Sequence, residues 1–279
     1  MRNGRRLTLT LTLAALAVLG VGMLAGCSDD SSPTLPGNGQ QQEAPVLPDP
    51  GMLTMDLHFF DGAAPLDKAI GHQNFYNAYL RAVIVSAYTG LVLAAPVEAF
   101  SLALHTTPTP QSDGSWLWIY TWSQDGEEAQ IRLHGMPADA DSVRWELRVT
   151  FDEGGRHYEQ ELWFDGTTAD DGHRGTWTFY DFKQDGAPAV ARLAWHGTDE
   201  DHSVLRLAAL AGEDEGDSIT FTAEGDERRI DYVDAPEALT WFVRWNEADG
   251  TGSLQVPGYN GGEEACWDEQ QFDVDCGAS

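Results

Sequence analysis

Positive charge is what this sequence has least of: sixteen Lys and Arg stand against forty-five Asp and Glu in 279 residues. Nucleic-acid binding draws on clustered Lys and Arg, so this balance excludes it. It also excludes electrostatic docking on anionic headgroups. Cysteine is almost absent, with three in the chain, too few for a disulfide-built scaffold. The signatures of common catalytic machinery are missing as well: there is no G-x-S-x-G elbow, no H-E-x-x-H, no phosphate-cradling Gly-rich loop ending in Lys, and no C-x-x-C.

What is present begins with the first 27 residues. Arg2, Arg5 and Arg6 precede an uncharged run from Leu7 to Leu24, and the run ends in Leu24-Ala25-Gly26-Cys27. This resembles the signal peptide and lipobox of bacterial lipoproteins. The resemblance implies a diacylglyceryl group on the Cys27 thiol, cleavage before Cys27, and a further acyl chain such as palmitate on the freed amine. An uncleaved anchor is the alternative, since about eighteen residues approach the length of a membrane span. The motif, its position and the polar Ser28-Asp29-Asp30 that follow favour the lipoprotein. Position 28 is Ser rather than the Asp that retains such proteins in the inner membrane, which implies outer-membrane sorting in a diderm source. The first 26 residues hold three basic groups and no acid, leaving thirteen against forty-five and a formal charge of −32.

The segment 27–50 is rich in Pro, Ser and Gln and has no aromatic residue. Such a composition buries too little apolar surface to offset ordering entropy, so it reads as a disordered tether. Residues 51–279 then form one β-rich domain. Leu53 to Phe60 alternates loosely, as a first strand or an extended lead-in. Residues 73–105 form the one helical stretch, with Arg81 and Glu98 as its only charges. Tyr76, Leu80, Val83, Ile84, Tyr88, Leu91 and Val92 recur at helical spacing. Gly90 and Pro96 predict two helices meeting between them.

From residue 115 to 256 short runs alternate apolar and polar, separated by Asp-Gly, Glu-Gly-Gly and similar turn formers. The runs are 116–122, 130–133, 143–151, 157–164, 176–182, 190–196, 204–210, 218–223, 229–233, 239–245 and 253–256. Connections this short forbid parallel crossovers. The fold class is therefore mainly β: an antiparallel meander of about ten or eleven strands. The sheet is expected to be strongly curved or barrel-like, with the helical pair packed on or in it; a two-sheet sandwich is the runner-up.

No catalytic residue, metal ligand or cofactor site is nominated. Cys266 and Cys276 predict a disulfide in an exported protein, capping the C-terminus. His196 and His202 bracket the acidic Gly197-Thr198-Asp199-Glu200-Asp201, where a polar hairpin loop competes with a metal site. Thr168–Gly172 and Asn246–Gly250 invite calcium but lack EF-hand spacing. Acidic runs such as Glu213-Asp214-Glu215 read as solvated turns. Ten tryptophans read as core filler before a ligand platform, although rings such as Trp145, Trp177 or Tyr88 would suit the lining of an apolar cavity.

Lipid anchor, helical segment and long antiparallel meander together look like the periplasmic lipoprotein carriers and chaperones built as a half-barrel with a helical plug, an analogy of architecture alone. Two classes of function follow. One is a non-enzymatic, membrane-anchored envelope protein, exported, that binds an apolar ligand or an envelope protein partner, its membrane contact being the lipid on Cys27. The other is a tethered hydrolase of glycans or peptides, which requires a cleft with converging acids, one of them raised in pKa by burial.

Overall fold

The computed structural model describes residues 43–61, 70–124 and 127–277. The leader, Cys27 and most of the segment composition assigns to the tether lie outside them. Fourteen strands follow one another in a single antiparallel sheet in which spatial order equals sequence order. They are β1 (Thr109–Pro110), β2 (Trp116–Gln124), β3 (Glu127–Asp139), β4 (Ser142–Glu153), β5 (Arg156–Ala169), β6 (Arg174–Tyr180) and β7 (Ala189–Asp199). The second half comprises β8 (His202–Ala209), β9 (Ser218–Glu224), β10 (Glu227–Asp234), β11 (Leu239–Asn246), β12 (Gly252–Gln255), β13 (Ala265–Trp267) and β14 (Asp273–Val274). The eleven predicted runs coincide with β2 to β12. The additional β1, β13 and β14 have two or three residues each, too short for alternation to register.

The run Leu53 to Phe60 is not a strand. It holds two 3-10 turns, Pro50–Leu53 and His58–Phe60. Asp49 Oδ1 accepts from Gly51 N at 2.9 Å and opens the first, and Pro50 starts it with φ already set. Residues 43–50, which composition places in the tether, lie on the domain: Pro48 is buried and Ala44 and Leu47 pack against the core.

The helical stretch is one α-helix, α1 (Gln73–Leu104), and not the expected pair. Pro96 removes one backbone donor, but burial of the helix on both sides of it outweighs that loss. Its buried positions are Phe75, Ala78, Ala82, Val85, Thr89, Val92, Leu93, Phe100 and Ala103, a three-and-four spacing that makes one stripe. That stripe is offset from the face the periodicity marked: Leu80, Val83 and Ile84 are 40%, 44% and 50% exposed. Apolar residues occupy both faces; the inward one combines Ala78 and Ala82 with Phe75 and Phe100 near its ends, whose rings pack on Trp267, Trp145 and Trp177.

The core is organised by tryptophan. In register across β2 to β6 the row reads Trp116, Gly135, Trp145, Gly166, Trp177, with aromatic and glycine in alternation. A second such set, Trp245, Gly252, Trp267, joins β11, β12 and β13. A Cβ on Gly166 would fall 1.9 Å from Thr176 O and 2.7 Å from Trp177 Cδ1. Each glycine thus makes room for the indole of the next strand. Phe100 of α1 stacks on Trp177 at 4.6 Å between centroids and meets Trp145 edge-on at 5.9 Å. At the other end of the helix Phe75 meets Trp267 edge-on at 5.7 Å. Seven of the ten indoles are buried in the core, including Trp145 and Trp177.

Candidate functional site

Alternate turns of an antiparallel meander fall at the same end of the sheet. Segment 43–61 runs across one such end: Pro45 lies over Gly135, Pro48 over Gly172 in the β5–β6 turn, and Gly51 beside Glu200 in the β7–β8 turn. It finishes at Phe59 and Phe60, which pack on Trp245 at 5.9 and 5.0 Å. This strap lies along that end.

The opposite end carries a cavity of about 390 Å³ between α1 and strands β8 to β12, within the ~300–1,000 Å³ usual for small-molecule sites. Helix α1 supplies one wall through Leu80, Ile84, Val85 and Tyr88. The sheet supplies the other through Leu207, Ile219 and Trp241, joined by Val256 directly after β12. Leu80 and Ile84 are both half exposed, so the rim of the cavity continues onto the outer face of the helix.

Polar groups sit at its two ends. Beside Tyr88 are Asp214 and Asp217; burial first, and then their charges, push the Tyr88 hydroxyl up to about 12. Asp217 is buried and committed: Oδ2 accepts from Tyr232 Oη at 2.5 Å and Oδ1 from Ala235 N at 2.9 Å. Burial first, and then Asp217, raises the Asp214 carboxyl above its ordinary value, and its Oδ2 is shielded from solvent without a partner. Tyr232 stacks on Trp241 with centroids 5.1 Å apart. At the far end is Arg81, which donates to Asn77 O at 2.8 Å and Asn77 Oδ1 at 3.3 Å, both on its own helix. Burial lowers its pKa, and among the described residues it makes no salt bridge.

The sequence nominated neither Arg81 nor Asp214. A lone cation in an uncharged helical stretch was the available signal for Arg81. Glu213-Asp214-Glu215 reads as a solvated turn, and the correction is that Asp214 forms part of the cavity wall. Tyr88 does line the cavity, whereas Trp145 and Trp177 do not.

Cys266 and Cys276 are bonded. The bond holds β14 against β13, and from β14 Asp273 caps α1: its carboxylate accepts from Gln73 N at 3.1 Å and Asn74 N at 2.8 Å. Acceptors of this kind satisfy orphan donors at a helix start and complement its dipole. His202 Nδ1 sits 2.8 Å from Asp199 Oδ1, while His196 stands in register with Arg174 and Val204; they form no ligand cluster. In the two turns that invited calcium, Asp171 and Asp249 accept from backbone N–H groups of their own turns. Among the described residues the one close-set metal-ligating group is Asp56, His58 and Glu247, where strap meets β11–β12 turn. Asp56 binds His58, and Glu247 faces the buried Arg228 at 3.2 Å, so each member of the group already has a partner within the protein.

The chain matches no family model, no curated protein and no solved structure. Among the described residues no helix is long and apolar enough to cross a membrane.

Proposed function

We propose that this protein is a membrane-anchored lipoprotein of the cell envelope whose β domain binds, without chemical turnover, a ligand with an apolar body. Attachment rests on the lipobox at Cys27, and in a diderm source the address is the outer membrane. The observation that carries binding is the cavity between α1 and β8 to β12: walls of Leu, Ile, Val, Tyr and Trp, about 390 Å³ of space, and a half-exposed apolar rim. Architecture supports the same reading, because a sheet curled around its helix leaves an internal space with two ends. Curling is favoured by the reach of α1: its first turns pack on β12 to β14, while Phe100 packs on β4 to β6. A wide twisted sheet meets one helix along so many strands by wrapping it.

Native mass spectrometry of the protein released from membranes tests this. A copurifying small apolar or amphiphilic molecule, lost when Ile84→Glu and Trp241→Ala are combined, is the expected result. Unliganded protein that also takes up no added amphiphile would overturn it.

A hydrolytic reading has one observation in its favour, the Asp214–Asp217 pair with the Asp214 carboxyl raised by burial. Asp217, however, has both oxygens occupied by Tyr232 and Ala235, and no histidine lines the cavity. Turnover of glycan or peptide substrates that disappears in Asp214→Asn would establish that reading instead.

A further inference from the structure

The cavity is polarised along its length. Arg81 and Tyr88 both line it, seven residues apart on one helix, which is a rise of about 10 Å. Tyr88 marks the end that feels Asp214 and Asp217, whereas Arg81 marks the end near Tyr259. Between them the walls are apolar. One end therefore offers a guanidinium whose protein partners are uncharged, and the other repels anions.

We propose that the cavity takes a single-chain carboxylic acid, its carboxylate on Arg81 and its hydrocarbon tail running along α1 toward Trp241 and Tyr88. The proposal rests on the reading of this cavity as a binding site. Three observations select the ligand class, and two more set its direction and entry. Arg81 is half-buried and spends its donors on Asn77 alone, so its planar fork keeps capacity for a carboxylate. The volume, about 390 Å³, suits one chain and not the paired chains of a bilayer lipid. In a molecule of net charge −29, with two of its acids at the far end, a head of one negative charge is tolerated better than a phosphomonoester of nearly two. The same acids fix direction, since reversal would place the carboxylate beside Asp214 and Asp217. The half-exposed Leu80 and Ile84 at the rim supply an apolar entry.

The test compares three probes of equal length, octanoate, 1-octanol and octylammonium, titrated calorimetrically into the full chain held in amphipol, with wild type, Arg81→Met and Arg81→Lys in parallel. Octanoate should bind about tenfold tighter than octanol, the factor a charge-assisted hydrogen bond supplies. Arg81→Met should remove that advantage, bringing octanoate to the level of octanol measured on the same variant, and Arg81→Lys should keep part of it. Equal affinity for octanoate and octanol, or an advantage that survives Arg81→Met, overturns the carboxylate assignment while the binding function stands. Preference for octylammonium overturns it in favour of the acidic end. Failure of all three probes to bind overturns both.

Discussion

A glycine that faces an indole and a glycine that faces water answer the same substitution in opposite ways, and both kinds occur here. At Gly166 a new Cβ would meet the Thr176 carbonyl at 1.9 Å, inside any contact distance. Gly166→Ala should therefore cost on the order of 3 kcal/mol, the upper range of overpacking, read as a lowered urea midpoint with unchanged slope. At Gly90, exposed on α1, a new Cβ meets nothing within 4 Å. Gly90→Ala should raise stability by about 0.5–1 kcal/mol, because the unfolded chain loses freedom that the helix never uses. A destabilised Gly90→Ala would mean that the outer face of the helix is covered.

At the scale of elements, the C-terminal staple and the helix are one unit. The disulfide fixes β14, β14 carries Asp273, and Asp273 satisfies the first amides of α1. Asn74 Nδ2 reinforces this by donating to Cys266 O at 2.7 Å. Reduction should then cost about 2–3 kcal/mol through the loop it opens. It should also raise amide exchange at the start of α1 before the rest of the sheet. Asp273→Ala in the oxidised protein should reproduce that local exchange at a cost of about 1 kcal/mol. Uniform exchange after reduction would sink the link between staple and helix cap.

For the whole molecule the governing quantity is charge. At −29 the folded state repels itself, so added salt should raise its melting temperature at neutral pH. The pH response has two signs. The Asp214 carboxyl is raised in the fold by burial and by Asp217. Its ionised form therefore opposes folding, and stability should grow as pH falls through its folded value. The carboxyls of Asp113, Asp139, Asp199 and Asp249 are lowered, chiefly by hydrogen bonds from Ser115, Ser142, His202 and Thr251. Their contribution is complete above the unfolded carboxylate value and is lost as pH falls through the folded ones. Urea midpoints should thus rise on mild acidification and drop steeply in strong acid. Asp214→Asn should remove part of the rise, and a midpoint profile unaltered by it would contradict the burial of that carboxyl.

The strands were legible in the sequence because period-two alternation and Asp-Gly turns are local, and short turns leave no topology but a meander. The pairing of Cys266 with Cys276 was legible because no other thiol follows the lipobox. The inward face of α1 was not, since Leu80 and Ile84 are as apolar as Phe75 and Val85, and the choice fell to the indoles of the sheet that receive Phe75 and Phe100. The alternation of Trp with Gly across β2 to β6 exists only once register aligns residues about ten to twenty apart. The cavity depends on it too: Arg81, Asp214 and Trp241 come from a helix, a loop and a strand that share no sequence pattern. Local chemistry determined the elements and their order; which apolar face turned inward, and what was left open between helix and sheet, were decided by packing.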